Sequence, residues 1–171
     1  MKLVLIGYRG TGKSTVARHL ALELGCDWVD ADVEIELKAG KSIAALFTDD
    51  GEGRFRDLEE EVLAELVSRE NLVIAAGGGA VLREANRRQL ARCDRVVWLQ
   101  ASPATILKRT ALDATTAGRR PKLTTAGGEE EVVRLLTERG PLYKQCADMQ
   151  IDTDEKSPGE IAQVIIEQIH L

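Results

Sequence analysis

The chain has few cysteines, and their spacing excludes two classes of protein. Cys26, Cys93 and Cys146 are odd in number, far apart and without any C-x-x-C pair. We therefore expect neither a disulfide-stapled extracellular fold nor a cysteine-based zinc site. Three free thiols suit a reducing compartment, which predicts a cytoplasmic protein.

Long apolar runs and basic tracts are also missing. No apolar stretch approaches the roughly 20 residues of a membrane-spanning helix, so no membrane partner is expected. The amino terminus runs directly into an apolar strand, which leaves no room for a secretory leader. The net charge is −5 and the positive residues are scattered, so a nucleic-acid partner is not expected either. These absences favour a small-molecule partner, and we expect a monomer.

Short apolar strands alternate with amphipathic helices along the chain. A length of 171 residues suits one domain, and we predict a single domain over residues 1–171. Five strands with helices between them predict an α/β fold with a parallel sheet. The strands are predicted at residues 2–6, 27–30, 72–76, 95–99 and 148–152. The helices are predicted at residues 13–24, 33–39, 43–48, 51–68, 83–92, 103–112, 129–145 and 158–170.

The first predicted strand leads into an octet of the form G-x-x-x-x-G-K-S, residues 7–14, which we call the phosphate-binding loop. Glycines at a strand-to-helix junction let backbone N–H groups point at a phosphate, which a Cβ would obstruct. Lys13 can reach the β- and γ-phosphates, Ser14 can offer its hydroxyl to Mg²⁺, and the helix amino terminus favours an anion. The octet predicts a nucleoside triphosphate site. The alternative, a turn that binds nothing, is disfavoured by the strand before it and the helix after it.

Asp30 and Asp32 stand at the end of the second predicted strand. Period-two alternation predicts that both carboxylates point to the same side of the sheet at its carboxyl edge, where α/β sheets bind ligands. One carboxylate can then support a metal shell while the other accepts the proton of a substrate hydroxyl. The alternative is that one of them only caps the following helix.

Two further features favour a binding site beside the loop for the molecule that receives the phosphoryl group, which we call the acceptor. Gly77, Gly78 and Gly79 follow the third strand, and three successive glycines indicate a tight turn or a close approach of backbone to a ligand. Arg56 and Glu59 lie three residues apart on one predicted helix and share a face. They form either an exposed ion pair of little energetic value or a carboxylate clamp in which Glu59 orients Arg56.

The helical pattern breaks at residues 114–128, where threonines and glycines surround Arg119, Arg120 and Pro121. This composition favours a mobile lid. An arginine from such a lid can stabilise charge on a phosphoryl group, and Arg139 is a second candidate. Arg120, which precedes Pro121, is the first candidate, although any single arginine can also be a solvated side chain.

The order and spacing of these motifs resemble those of shikimate kinases over nearly the whole chain. D-x-D, F-R-x-x-E and G-G-G together separate that family from gluconate kinases and nucleoside monophosphate kinases, which share the phosphate-binding loop only. The motifs are GYRGTGKST from Gly7, D-A-D from Asp30, F-R-D-L-E from Phe55, G-G-G from Gly77, R-P at Arg120 and R-G-P-L-Y from Arg139.

The resemblance implies ATP-dependent phosphorylation of the 3-hydroxyl of shikimate, in the pathway to aromatic amino acids. It also implies a three-layer α/β/α fold of the P-loop NTPase type, with a five-stranded parallel sheet in the order 2-3-1-4-5. A helical substrate-binding region near residues 33–60 and a lid near residues 114–128 come with that fold. The alternatives are a kinase of another small carboxylate such as gluconate, and a non-catalytic nucleotide-binding module.

The resemblance also implies roles for individual residues. Asp32 is the expected base, with Lys13 and Arg120 completing the catalytic set. ATP is expected to contact Gly10, Thr11, Gly12, Lys13, Ser14, Thr15, Arg109 and Arg120. Shikimate is expected to contact Asp32, Arg56, Gly77, Gly78, Gly79 and Arg139, with Glu59 orienting Arg56. Mg²⁺ is expected to be held by Ser14 and, through water, by Asp30.

The chain departs from the usual family pattern in three places. Tyr8 and Arg9 make the phosphate-binding loop bulkier than common versions, at variable positions where phosphate binding should survive. Lys122 replaces an apolar residue after Pro121. Residues 154–156 are largely acidic where many members place a basic residue near the adenine, so we assign no contact there.

Overall fold

The structure, a computed structural model, describes residues 1–113 and 128–169. The described residues form five strands and eight helices. The strands are β1 Lys2–Ile6, β2 Asp27–Asp30, β3 Leu72–Ala75, β4 Arg95–Gln100 and β5 Met149–Asp152. The helices are α1 Lys13–Leu24, α2 Ala31–Ala39, α3 Ile43–Asp49, α4 Gly51–Ser68, α5 Glu84–Leu90, α6 Pro103–Leu112, α7 Glu129–Cys146 and α8 Pro158–Ile169.

The five strands form one parallel sheet in the order β2-β3-β1-β4-β5. The central strand β1 pairs with β3, where Leu5 lies opposite Ala75, and with β4, where Leu5 lies opposite Val97. Parallel strands bring their carboxyl ends to one edge, and the phosphate-binding loop leaves β1 in the middle of it. The predicted fold class and strand order are confirmed. The predicted lid lies outside the described residues.

Helices cover both faces of the sheet because its strands are apolar on both sides. Leu3 and Leu5 of β1 pack with residues of α1 and α8, while Val4 and Ile6 pack with residues of α2, α3 and α4. All four side chains are fully buried. The alternation along one strand therefore places β1 between two hydrophobic cores, as in a doubly covered parallel sheet.

Helix α2 begins at Ala31, two residues earlier than the predicted helix over residues 33–39. It begins there because the Asp30 carboxylate caps it, with Oδ1 accepting a hydrogen bond from the Asp32 backbone N–H at 2.9 Å. The chain therefore leaves the extended conformation after Asp30. The strand alternation predicted through Asp32 is therefore wrong, whereas the prediction that Asp30 and Asp32 face the same space holds, because both line one cleft.

In the part of the chain that the structure describes, no helix combines the length and the apolar character needed to cross a membrane. Cys26, Cys93 and Cys146 are all free thiols. Burial raises the pKa of the Cys93 thiol to about 11, so this side chain behaves as a small apolar residue and not as a nucleophile.

Candidate active site

The phosphate-binding loop curves around the amino terminus of α1. Gly10 and Gly12 have φ values of +78° and +89°, in the left-handed region that favours glycine. Lys13 lies back along the loop, where its Nζ donates to the carbonyl oxygens of Gly7 at 2.8 Å and Tyr8 at 2.9 Å. The loop thus carries a cation and the positive end of a helix, which together suit a polyphosphate.

Ser14 and Asp30 place a hydroxyl and a carboxylate side by side next to this loop. The Ser14 hydroxyl donates to Asp30 Oδ2 at 2.5 Å, so Asp30 uses one oxygen for Ser14 and the other for capping α2. Hydroxyl and carboxylate oxygens are the hard donors that Mg²⁺ takes in proteins. Among the described residues, no group of three or more His, Cys, Asp or Glu side chains is arranged to hold a metal. The pair therefore fits Mg²⁺ that draws its remaining ligands from phosphate and water.

The loop forms one wall of a cleft of about 420 Å³ that also contains Asp30 and Asp32. A cleft of this volume is of the size that binds nucleotides and drug-sized molecules. Thr11 and Thr15 of the predicted ATP-binding set line it too. Asp32, the predicted base, and Lys13, the predicted phosphate ligand, thus face one space.

Arg109 of α6 closes another part of the cleft. Its guanidinium donates to Thr153 Oγ1 at 2.9 Å, to the Thr153 carbonyl at 2.8 Å and to the Gly10 carbonyl at 3.4 Å. Thr153 is fully buried just after β5 and was not singled out from the sequence. These contacts fix a flat cation next to the loop, while the predicted contact of Arg109 with ATP stays a prediction.

The pair formed by Arg56 and Glu59 is buried, so the alternative of an exposed ion pair is wrong. Arg56 Nη1 donates to Glu59 Oε2 at 2.6 Å, and Arg56 is 9% exposed and Glu59 3% exposed. Burial raises the pKa of the Glu59 carboxyl, and the Arg56 guanidinium opposes that rise. Arg56 Nε and Glu59 Oε1 are buried and have no hydrogen-bond partner among the described residues. Arg56 Nε can therefore still donate a hydrogen bond, and Glu59 Oε1 can still accept one.

The glycine turn, residues 77–79, brings backbone against three of these side chains. A Cβ at Gly77 would lie 2.9 Å from Asp32 Oδ1 and 3.0 Å from Glu59 Oε1, and a Cβ at Gly79 would lie 2.7 Å from Arg56 Cζ. None of the three glycines has a left-handed φ. Space, and not backbone conformation, is therefore what requires glycine at Gly77 and Gly79.

Arg139 of α7 reaches the same turn. Its side chain is largely buried, and a Cβ at Gly78 would lie 3.7 Å from its Nη1. The structure thus gathers the predicted acceptor residues Asp32, Arg56, Glu59 and Arg139 around the glycine turn. Arg120 lies outside the described residues.

Tyr143 is a residue of this site that the sequence analysis gave no role. Its ring is fully buried on α7, and its hydroxyl donates to the Gly78 carbonyl at 2.5 Å. The ring also stacks on Trp98 of β4, with centroids 5.5 Å apart. The chain has only two tyrosines, Tyr8 and Tyr143, and both lie within the motifs named above. This position within motifs could have indicated a role for Tyr143.

The family model described as shikimate kinase matches residues 9–170. The chain belongs to the shikimate kinase family. The shikimate kinase of Rhodopirellula baltica is 49% identical over 159 residues, which cover 93% of this chain and 85% of that protein. The shikimate kinase of Pseudomonas putida is 44% identical over 167 residues, which cover 98% of this chain and 95% of that protein. The resemblance predicted from the motifs is confirmed.

Solved structures agree with this membership of the shikimate kinase family. The shikimate kinase from Acinetobacter baumannii in complex with shikimate has a TM-score of 0.92 and 39% identity, covering 99% of this chain and 92% of that one. The deoxyadenosine kinase of M. mycoides with dATP bound has a TM-score of 0.66 at 15% identity, which shows a shared fold alone.

Proposed function

We propose that this chain transfers the γ-phosphoryl group of ATP to the 3-hydroxyl of shikimate, giving shikimate 3-phosphate and ADP. The observation that carries the proposal is the position of Asp32, which lines the cleft of the phosphate-binding loop and adjoins the glycine turn and its buried arginines. Membership of the shikimate kinase family and the likeness to a family member in complex with shikimate support it.

On the donor side, the phosphate-binding loop receives the phosphates on its backbone N–H groups and on Lys13. Ser14 would hold Mg²⁺ directly and Asp30 would hold it through water, and the ion supplies neutralisation of phosphate charge when bound. Lys13 stabilises the negative charge of the phosphoryl group during transfer, because a fixed cation in a cleft needs little reorganisation. The resemblance to the family assigns Arg120 the same role.

On the acceptor side, Arg56 and Arg139 bind the carboxylate of shikimate and the glycine turn contacts its ring. Asp32 accepts the proton of the 3-hydroxyl as that oxygen bonds to the γ-phosphorus and the bond from phosphorus to the bridging oxygen breaks. The electron pair of the broken bond leaves with ADP. Arg56 Nε has no hydrogen-bond partner among the described residues, so it can donate one charge-assisted hydrogen bond to a carboxylate.

The setting of this activity is part of the same proposal. We assign residues 1–171 to one domain, with the substrate-binding region near residues 33–60, where Arg56 and Glu59 lie. We expect a cytoplasmic monomer that acts on a small molecule. The net charge of −5 and the scattered positive residues support a small-molecule partner over nucleic acid.

A coupled assay of ADP release tests the proposal. The purified chain is offered ATP and Mg²⁺ with shikimate, with gluconate or with nucleoside monophosphates. We expect turnover with shikimate alone, and loss of turnover on chelation of Mg²⁺. Activity with gluconate and none with shikimate would establish the alternative acceptor, and ATP binding without any turnover would establish a non-catalytic module.

We expect Gly79→Ala to raise the KM for shikimate about tenfold or more, with a smaller change in the KM for ATP. The new Cβ would meet the Arg56 guanidinium, and overpacking of this kind costs roughly 1–3 kcal/mol. Steady-state kinetics with each substrate varied in turn measures the effect.

Gly53→Ala is the matched control for this prediction. Gly53 is exposed on α4, and a Cβ there meets no atom within 4 Å. We expect normal kinetics and a slightly higher Tm, since alanine is the better helix former. Normal shikimate kinetics in Gly79→Ala would contradict the placement of Arg56 at the acceptor.

A further inference from the structure

Tyr8 departs from the common form of the phosphate-binding loop, and its backbone and side chain lie in different parts of the site. Its carbonyl oxygen accepts hydrogen bonds from Lys13 Nζ at 2.9 Å and from Thr11 Oγ1 at 2.8 Å. The backbone of Tyr8 therefore helps to shape the donor half of the site.

The Tyr8 side chain leaves the loop and packs against α6 and α7. It is 1% exposed, in a small apolar cluster with Ile106, Val132 and Leu135. On α7 it meets Arg139, whose Cζ lies 5.9 Å from the centroid of the Tyr8 ring. A guanidinium within about 6 Å of an aromatic centroid is attracted by the negative face of the ring.

The two acceptor arginines are therefore held in different ways. Arg56 is held by carboxylates, with Nη1 donating to Glu59 at 2.6 Å and Nη2 to Glu52 at 3.4 Å. No hydrogen bond joins the Arg139 guanidinium to another residue in the described ranges, and the Tyr8 ring contacts it without using a donor. A ring can thus orient a guanidinium and leave its N–H fork available for a carboxylate.

We propose that Tyr8 is a positioning residue for the acceptor, whose ring orients Arg139 toward the carboxylate of shikimate. The proposal rests on the proposed function, because it deepens the role of Arg139 in that reaction. Tyr8 belongs to the phosphate-binding loop, but its side chain acts on binding of the acceptor.

Tyr8→Met and Tyr8→Phe test the proposal by kinetics with each substrate varied in turn. Methionine fills the space with an adaptable apolar side chain but has no ring face. We expect Tyr8→Met to raise the KM for shikimate roughly 3- to 30-fold, the range of a partly buried cation–π contact. The KM for ATP should stay unchanged, because the contacts to Lys13 and Thr11 come from the backbone. Tyr8→Phe keeps the ring face and should restore the wild-type KM for shikimate.

Leu135→Ala is the matched control, since it loosens the same cluster without removing the ring. A merely structural role of Tyr8 predicts that Leu135→Ala raises the KM for shikimate as much as Tyr8→Met does, and that result would overturn the proposal. So would equal rises in the KM values for ATP and shikimate, or a Tyr8→Phe variant as impaired as Tyr8→Met. Should Tyr8→Met not fold, Tyr8→Leu supplies the same comparison. Tyr8→Phe by itself still shows whether the KM for shikimate depends on the ring face or on the hydroxyl.

The wild-type assay separates this proposal from the proposed function. Absence of shikimate turnover in the wild type would refute the proposed function itself. An active wild type with a fully active Tyr8→Met variant would refute only the role of Tyr8.

Discussion

Asp32→Asn is expected to lower kcat by a factor of about 10² to 10⁴, the usual contribution of a positioned general base. Asparagine has the shape of aspartate, but its amide cannot take the proton of the acceptor hydroxyl. The cap of α2 should survive, because Asp30 binds the backbone N–H of residue 32 and not its side chain. The measurement is ADP release at saturating ATP and shikimate, with Tm recorded for each variant.

Glu34→Gln provides the control for Asp32→Asn. Glu34 lies on the same helix, and its carboxylate pairs with Arg69 at 3.6 Å on the partly exposed surface. Loss of one such surface pair costs about 0–1 kcal/mol of stability, and we expect kcat to stay normal. Near-normal turnover of Asp32→Asn would remove Asp32 from the role of base.

Arg56→Met is expected to lower the free energy of unfolding by about 3–5 kcal/mol and to raise the KM for shikimate strongly. Removing one partner of a buried ion pair leaves the other charge uncompensated, which accounts for the loss of stability. Here the remaining charge is that of Glu59, which is 3% exposed. Denaturant unfolding and steady-state kinetics measure the two effects separately.

The double variant Arg56→Met with Glu59→Leu separates folding from binding. Replacing a whole buried ion pair by apolar residues is often neutral or stabilising. We therefore expect the double variant to regain most of the lost stability while its KM for shikimate stays high. A double variant that regains normal shikimate kinetics would show that Arg56 does not bind the acceptor.

Arg54→Met is the matched control on the same helix. Its side chain is half exposed, and its Nη1 lies 3.7 Å from Glu61 Oε1. A surface pair of this kind contributes about 0–1 kcal/mol, so stability and kinetics should change little. A loss of stability in Arg54→Met equal to that in Arg56→Met would mean that burial of the ion pair is not the cause.

The parts of the fold that could be predicted from the sequence are those determined by residues close together in the chain. The octet of the phosphate-binding loop and the apolar strand before it are local patterns, and the structure has both. The β2–α2 junction was mispredicted because strand alternation competes there with helix capping, and both involve Asp30. Only the observed hydrogen bond to the Asp32 N–H shows that capping prevails.

The candidate site contains contacts that no local pattern encodes. Tyr143 and Gly78, joined by a hydrogen bond, are 65 residues apart in the chain. The sequence left the Arg56 and Glu59 pair open between surface and site, because its burial depends on residues distant in the chain, among them Gly77 and Gly79, which approach it closely. Motif order indicated which residues belong together, whereas tertiary packing decides how each is held.

Asp30 has two hydrogen-bonding roles, and this limits which substitutions the position can tolerate. One oxygen of Asp30 accepts from the amino terminus of α2 and the other accepts from Ser14. Asparagine offers only one acceptor oxygen, and its NH₂ group would then face the Ser14 hydroxyl as a donor. The Ser14 hydroxyl could then no longer donate to residue 30 while that residue caps α2. The start of α2 and the orientation of the Ser14 hydroxyl thus depend on the same carboxylate, and asparagine cannot serve both in this geometry.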